Sequence, residues 1–265
     1  MRLLDLFCGG GGAGYGYRLA GFDVVGVDIK KRQCGYPAGE FVKADVREVL
    51  SDLPFLRSFD AIHASPPCQT HSRTKHLRDA QGKGTDKVDL IPETREALER
   101  SRVPYVIENV EGAPLRCDLL LCGSMFPRLH VYDDTGRRWL KRHRIFETNV
   151  LVPQRSCRHR HAGVRPLGVY GSLGDDIPSG GQTCRSVEQA RELMGWPVDV
   201  VGGARRSHPA GLHGLHRRVS REPHQPQGGQ RMNDDQWDWL ILGGGLTILV
   251  AFLVVLAIFS RGAMP

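Results

Sequence analysis

The sequence predicts an α/β fold: a mainly parallel sheet with helices on both faces, followed by a single hydrophobic helix at the C-terminus. Three observations carry that expectation. A short apolar run at residues 3–7 empties into Cys8-Gly9-Gly10-Gly11-Gly12; apolar runs alternate with helix-patterned stretches as far as Pro197; and residues 239–260 contain no charge. With 265 residues, 40% apolar and 25% charged, the chain has enough material for one sizeable core, which excludes global disorder. Seven cysteines without a regular framework argue against a disulfide-stapled scaffold. The opening Met1-Arg2-Leu3-Leu4-Asp5 turns acidic at once, so no signal peptide is expected. A net charge of +7 permits a nucleic-acid partner without establishing one.

Each element has its own reason. Residues 3–7 read as a buried strand running into a glycine turn. Residues 15–20 suit a helix closed by Gly21, and residues 23–27 give a second strand ending at Asp28. Further strands are expected at 41–42, 59–64 and 105–107, with a crossover helix over 90–100 that carries Ile91 and Leu98 among helix-favouring Glu and Arg. Ser186 with Gln189 three residues on forms a capping-box pattern. The helix it starts takes its apolar face from Val187, Ala190, Leu193 and Met194, and Gly195 with Pro197 stops it.

Three motifs carry chemistry. Gly9, Gly11 and Gly14 fit G-x-G-x-x-G between a strand and a helix, with Asp28 about twenty residues on, where it can accept from ribose hydroxyls. That pattern alone leaves a NAD site, an S-adenosylmethionine site or a tight turn open. In Ser65-Pro66-Pro67-Cys68-Gln69, two prolines stiffen a loop and aim a thiol that lies among polar residues. Glu108, in Val106-Ile107-Glu108-Asn109-Val110, sits just past a buried strand, where a solvated loop acid or a general acid–base group are the two readings. Cys8 is expected to be structural, beneath the glycine turn.

In these residues the chain resembles the cytosine-5 DNA methyltransferases, most closely their small bacteriophage-type members. Asp5-Leu6-Phe7-Cys8-Gly9-Gly10-Gly11-Gly12 resembles the family's cofactor motif, and Asp28 sits where the family has an acidic ribose ligand. Asp45 resembles the residue that reads the adenine. Pro67-Cys68-Gln69 is similar to the nucleophile loop, Glu108-Asn109-Val110 to the cytosine-binding motif, and Arg142-His143-Arg144 to half of a Gln-x-Arg-x-Arg motif in which Leu140 replaces the glutamine. The stretch from Arg185 through Gly195-Trp196-Pro197 resembles the family's late structural helix. The resemblance covers roughly residues 1–197, with the motifs in family order.

The resemblance implies a Rossmann-like S-adenosylmethionine-dependent methyltransferase sheet acting on C5 of cytosine in double-stranded DNA. It implies Cys68, Glu108, Arg142 and Arg144 as catalytic residues. It implies Asp5, Phe7, Gly9, Gly11, Gly12, Gly14, Asp28, Asp45 and Pro67 as the cofactor site. Cys68 would add to C6 of a flipped-out base, Glu108 would bond ring N3, and Arg144 with Arg142 would hold O2. Arg137, Arg138, Lys141, Arg142 and Arg144 read as a basic cluster for phosphates. Target recognition is expected in about 145–185, with residues 146–148 and Arg155, Arg158 and Arg160 as candidates. A monomer in the cytoplasm of a bacterial host is the setting implied, with protection of a phage from restriction, partnership with a nuclease and action alone all left open. The same chemistry on RNA, or an impaired DNA-binding remnant, are the alternatives. No metal is expected: Cys117, Cys122, Cys157, His159, His161 and Cys184 match no standard ligand spacing, except loosely Cys117 with Cys122.

After Pro197 the pattern breaks. Residues 198–231 hold six Arg and four His but no Phe, Trp, Tyr, Ile or Met, so they read as a basic linker that builds no core. In residues 232–265, the run 240–259 is long enough to span a bilayer as a helix. The family's terminal Pro-Pro and aromatic segment is missing. Back-translating residues 198–217 and reading one base later can give WMSWAELAEAIPPAYTAYIG, which resembles it. The expectation is therefore a frameshift near Pro197 followed by fusion to a small membrane protein. A genuine membrane-tethered methyltransferase is the competing reading.

Overall fold

A computed structural model describes residues 1–30, 36–67, 88–126, 130–134, 136–140, 142–152, 166–169, 176–177 and 181–193. The expected nucleophile loop from Cys68, recognition candidates Arg155, Arg158 and Arg160, the expected linker and the hydrophobic run all lie outside these residues. Among the described residues no helix is long and apolar enough to cross a membrane.

Five parallel strands form the centre of a seven-stranded sheet. β1 (Arg2–Leu6) pairs with β2 (Asp23–Asp28) and with β4 (Ala61–Ala64); β2 pairs outward with β3 (Gly39–Lys43), and β4 with β5 (Tyr105–Asn109). The other edge is not parallel: β9 (His143–Thr148) runs antiparallel between β5 and β6 (Leu119–Cys122), giving the order β3-β2-β1-β4-β5-β9-β6. The expectation of a parallel sheet holds for the first five strands and needs this correction. Its physical reason is that β9 follows a hairpin, β7 (His130–Asp133) with β8 (Gly136–Trp139), and so re-enters the sheet without a crossover helix.

Helices cover both faces. α1 (Gly12–Leu19) starts three residues earlier than its side-chain pattern suggests, because Gly11 in the left-handed region (φ 83°) turns the chain straight into it. It lays Tyr17 on Leu3, Val24, Ala61 and Val106. α2 (Val46–Ser51), α3 (Leu53–Leu56) and α4 (Ile91–Ser101) cover the opposite face, where Leu4, Leu6, Val25, Val27, Ile62, Ala64 and Ile107 form an apolar layer with Leu50, Leu56 and Leu98. α5 (Val187–Leu193) buries Ala190 and Leu193 on the α1 side. Its capping box is present: the Gln189 amide donates to Ser186 Oγ at 3.1 Å, and Gln189 Oε1 accepts from the Arg185 amide.

Small strands β10 (Leu167–Gly168), β11 (Asp176–Ile177) and β12 (Gly181–Thr183) form a separate three-stranded sheet within the stretch expected to carry target recognition. Residues 146–148, in contrast, are corrected: Phe146 and Thr148 are buried in β9, and fully buried Glu147 is gripped by Arg95 at 2.7 and 2.8 Å. A side chain inside the sheet cannot read a partner's surface. Leu140, at the position of the expected glutamine, is fully buried and bridges to Leu167, so it serves the core.

Candidate active site

The carboxyl ends of β1, β4 and β5 open into one cleft, together with the start of β9. Strand alternation decides what reaches it. Leu3 and Asp5 share one face of β1, as do Ala61 and His63 on β4 and Val106 and Glu108 on β5, and Asp5 stands beside His63 in register. The cleft is lined from β1 and its turn by Asp5, Phe7, Cys8, Gly9, Gly12 and Ala13, and from the β4 loop by Ser65, Pro66 and Pro67. Glu108, Asn109 and Val110 close one wall, and Arg142 with Arg144 the other. Such a crevice outside the strand ends is where open α/β sheets bind ligands.

The glycine turn is bent by its backbone. Phe7, a non-glycine residue, takes φ 57°, followed by Gly9 at 51° and Gly11 at 83°. The Cys8 amide donates to the Val27 carbonyl, which ties the turn to β2, and Cys8 is buried while also lining the cleft. At the end of β2, Asp28 accepts from the Gly9 amide at 2.9 Å and from the Lys30 amide at 3.0 Å. Gly11 and Gly14 also have a packing job that their spacing does not suggest. A Cβ on either would collide with the Tyr36 side chain, as would one on Gly26. These glycines make room for a ring, and the Tyr36 hydroxyl donates to Asp5 Oδ2 at 2.8 Å.

Asp5 is fully buried, and among the described residues its Oδ1 has no hydrogen-bond partner. Burial pushes its carboxyl up to about 7 against the pull of Tyr36 and the Gly14 backbone, with the nearby Glu108 and Asp28 adding to the rise. A buried acceptor on a residue that lines a cleft is an unfilled requirement, and a cationic or N–H-bearing ligand would meet it.

Glu108 is raised above the ordinary carboxylate range by burial, although Arg144 and Arg142 pull the other way. Arg144 Nε lies 3.3 Å from Glu108 Oε1, and Arg144 also donates to the His143 carbonyl. Asn109 clasps the β4 loop by donating from Nδ2 to the Pro66 carbonyl at 3.1 Å. Pro67 lines the cleft, and Cys68 follows it outside the described residues.

Of the residues singled out from sequence, the cleft therefore gathers Asp5, Phe7, Gly9, Gly12, Pro67, Glu108, Arg142 and Arg144. Asp28 reaches it through Gly9. Asp45 stands apart: it caps α2 by accepting from the Arg47 amide at 3.0 Å and pairs with the Arg47 guanidinium at 2.7 Å. The basic cluster also separates. Arg138 is buried against Asp133 at 2.9 Å, Arg142 is buried in the cleft wall and only Arg137 is exposed, while Lys141 lies outside the described residues.

Sequence reasoning missed Tyr17, Tyr36 and His63. His63 is the one with a readable signal, since a histidine in the strand Ala61–Ala64 interrupts an otherwise apolar four-residue run. Among the described residues no group of three or more His, Cys, Asp or Glu converges as metal ligands.

Comparison with known proteins bears on the fold and on the N-terminal sequence. Residues 1–114 match the family described as C-5 cytosine-specific DNA methylase. The Type II methyltransferase M.FnuDI of Fusobacterium nucleatum is 35% identical over 91 residues, 31% of this chain and 26% of that protein. M.NgoPII of Neisseria gonorrhoeae is 28% identical over 124 residues, 42% of this chain and 34% of the relative. The chain thus spans about a quarter to a third of the length of these two curated relatives. Among solved structures, Dnmt2 methyltransferase from S. pombe superposes with a TM-score of 0.55 at 11% identity, over 100% of both chains. DNMT2 from Spodoptera frugiperda gives 0.52 at 14%, covering 97% of this chain and 99% of its own. The chain has an α/β methyltransferase fold, and its N-terminal 114 residues carry the likeness to the cytosine-specific DNA methylases.

Proposed function

We propose that this chain transfers a methyl group from S-adenosylmethionine to C5 of cytosine in double-stranded DNA. The observation that carries the reading is the convergence, in one cleft, of the glycine turn with orphaned Asp5, the root of the Pro66-Pro67-Cys68 loop, and a raised Glu108 flanked by Arg142 and Arg144.

The residues present fit the cosubstrate. Gly9 and Gly12 leave backbone open to close approach, Asp28 retains lone pairs for ribose hydroxyls, and Asp5 Oδ1 offers an acceptor for a cationic group. The cosubstrate supplies an electrophilic methyl. Asp45 is held back from this list as an adenine reader, since its carboxylate is committed to Arg47.

C5 of cytosine is a weak nucleophile on its own. Cys68 as thiolate would add to C6, forming the S–C6 bond and moving the C5–C6 electron pair onto C5. Glu108 in its protonated form would donate to N3 and offset the charge that develops on the ring, and Arg144 and Arg142 would hold O2. After C5 gains its methyl, a base removes the C5 proton and the S–C6 bond breaks, restoring the ring and freeing Cys68. A cytosine inside a duplex is out of reach, so the target base has to leave the stack.

Membrane association through 240–259, and a frameshift near Pro197 that replaced the terminal segment, belong to the same proposal. Sequencing the gene across codons 194–232 decides the frameshift, since a reading frame without the alternate peptide would refute it. Duplex DNA and RNA offered side by side decide the substrate: C5 methylation confined to RNA would replace the DNA reading with the same chemistry on RNA. A chain that binds duplex DNA yet methylates neither substrate is the remnant instead.

A further inference from the structure

A buried polar chain runs beneath the cleft, and the mechanism above does not use it. His63, on β4, is completely inaccessible. Its Nδ1 meets the Tyr17 hydroxyl of α1 at 3.2 Å, its Nε2 meets Ser65 Oγ at 2.8 Å, and the same Nε2 lies 3.8 Å from Glu108 Oε2 of β5. Asp5 of β1 stands beside it in register. Tyr17 is as buried as His63, and burial drives its phenol well above the ordinary range, so it is O–H and its proton needs an acceptor. Nδ1 serves as that acceptor in the Nε2–H tautomer, which donates to Ser65 Oγ at 2.8 Å and turns its N–H dipole toward Glu108 Oε2, 3.8 Å away and beyond hydrogen-bond reach.

We propose that His63 is a positioning residue, an Nε2–H imidazole that fixes Ser65 at the root of the Pro66-Pro67 loop and sets its N–H dipole toward Glu108 from below. Ser65 opens the segment that leads to Cys68, and Asn109 already holds the next residue, Pro66, by its carbonyl. The loop root is thus pinned twice, once from β4 and once from β5, and His63 stands against both the loop and the acid. Neutrality matters here. An imidazolium 3.8 Å from Oε2 would pair with Glu108 and hold it ionised, whereas an uncharged N–H orients the carboxyl and leaves its proton in place. Burial alone accounts for the neutral state, holding the imidazole down to about 3.

The inference deepens the methyltransferase reading, and its test has two arms that fail separately. On the full chain labelled with 15N-histidine and 13C-glutamate, the His63 signal (identified by its loss in His63→Gln) should show an Nε2–H neutral ring unchanged from pH 5 to 8. In His63→Leu, which keeps bulk and removes the donor, the Glu108 carboxyl should titrate at higher pH than in the wild type, and His63→Gln should restore it. In methyl transfer, His63→Leu should lower kcat about 10- to 100-fold with KM for S-adenosylmethionine within about twofold, and His63→Gln should recover most of the loss. An Nδ1–H ring, an imidazolium at pH 7, an unmoved Glu108 or an unchanged kcat would overturn the proposal. A wild type that methylates no cytosine would defeat the functional reading instead, while the spectra still decide the tautomer.

Discussion

The two faces of the three central strands are made from alternate residues of the same segments, and they differ in kind. Toward α2, α3 and α4, the strands present Leu4, Leu6, Ile62, Ala64 and Ile107, all buried and all apolar. Toward α1, the cleft ends of the same strands present Asp5, His63 and Glu108, equally buried and all titratable. The apolar face gains free energy from burial. The polar face loses it: two carboxyls are pushed up and an imidazole is pushed down, each away from its charged form. A fold tolerates such a row when the opposite face holds the strands in place, and the row's chemical value is that its groups stay uncharged until a ligand arrives.

Ile107 and Glu108 offer the sharpest way to break the comparison, since they are adjacent in β5 and point to opposite faces. Ile107→Ala should cost about 2–5 kcal/mol, read as a drop in the urea midpoint, from lost burial plus the cavity left behind. Glu108→Gln keeps the shape, so its unfolding midpoint should stay near the wild type while kcat for methyl transfer falls by a factor of about a hundred or more. Equal stability losses in the two variants would erase the distinction between the faces.

Asp5 gives the next effect. Its folded value near 7 stands above the usual carboxylate value near 4, so the native state holds its proton more tightly than the unfolded chain. Its contribution to stability is therefore complete below pH 4 and is lost as pH rises through 7. Tm of the wild type should carry this decline between pH 4 and 8, worth up to about 4 kcal/mol, and Asp5→Asn should remove most of it. The same substitution should weaken S-adenosylmethionine binding, measured by calorimetry, because the amide oxygen is taken by the Tyr36 hydroxyl and an NH2 donor stands where the second acceptor was. A variant that binds the cosubstrate normally would remove Asp5 from the site.

How much of this the sequence could show follows from the range of each interaction. The glycine turn, the Pro66-Pro67-Cys68 loop and the Glu108 strand end are local patterns, and the structure joins three of their members, Gly9, Pro67 and Glu108, in one cleft. Tyr36 was invisible because its role depends on Gly11, Gly14 and Gly26, which belong to two other elements. His63 depends in the same way on Tyr17, 46 residues away. The antiparallel β9 escaped because Arg144 and the preceding Arg142 read as part of a basic cluster for phosphates, when Arg142 is in fact buried in the cleft wall. Asp45 shows the converse: the motif match suggests a ligand, and the structure adds a local role as the α2 cap that the motif does not reveal.

Asp45 also supplies the smallest prediction. Asp45→Ala should fray the start of α2 and lower Tm slightly, with little change in the affinity for S-adenosylmethionine. A large loss of affinity at unchanged Tm would return Asp45 to the cofactor site.

The most direct test of the central claim is bisulfite sequencing of plasmid DNA from cells expressing this chain, with Cys68→Ala as the blank. The account predicts C5-methylated cytosine at a fixed short site in the wild type and none in the variant. Methylation that survives Cys68→Ala, or none from either this chain or a version with the terminal reading frame restored, would contradict it.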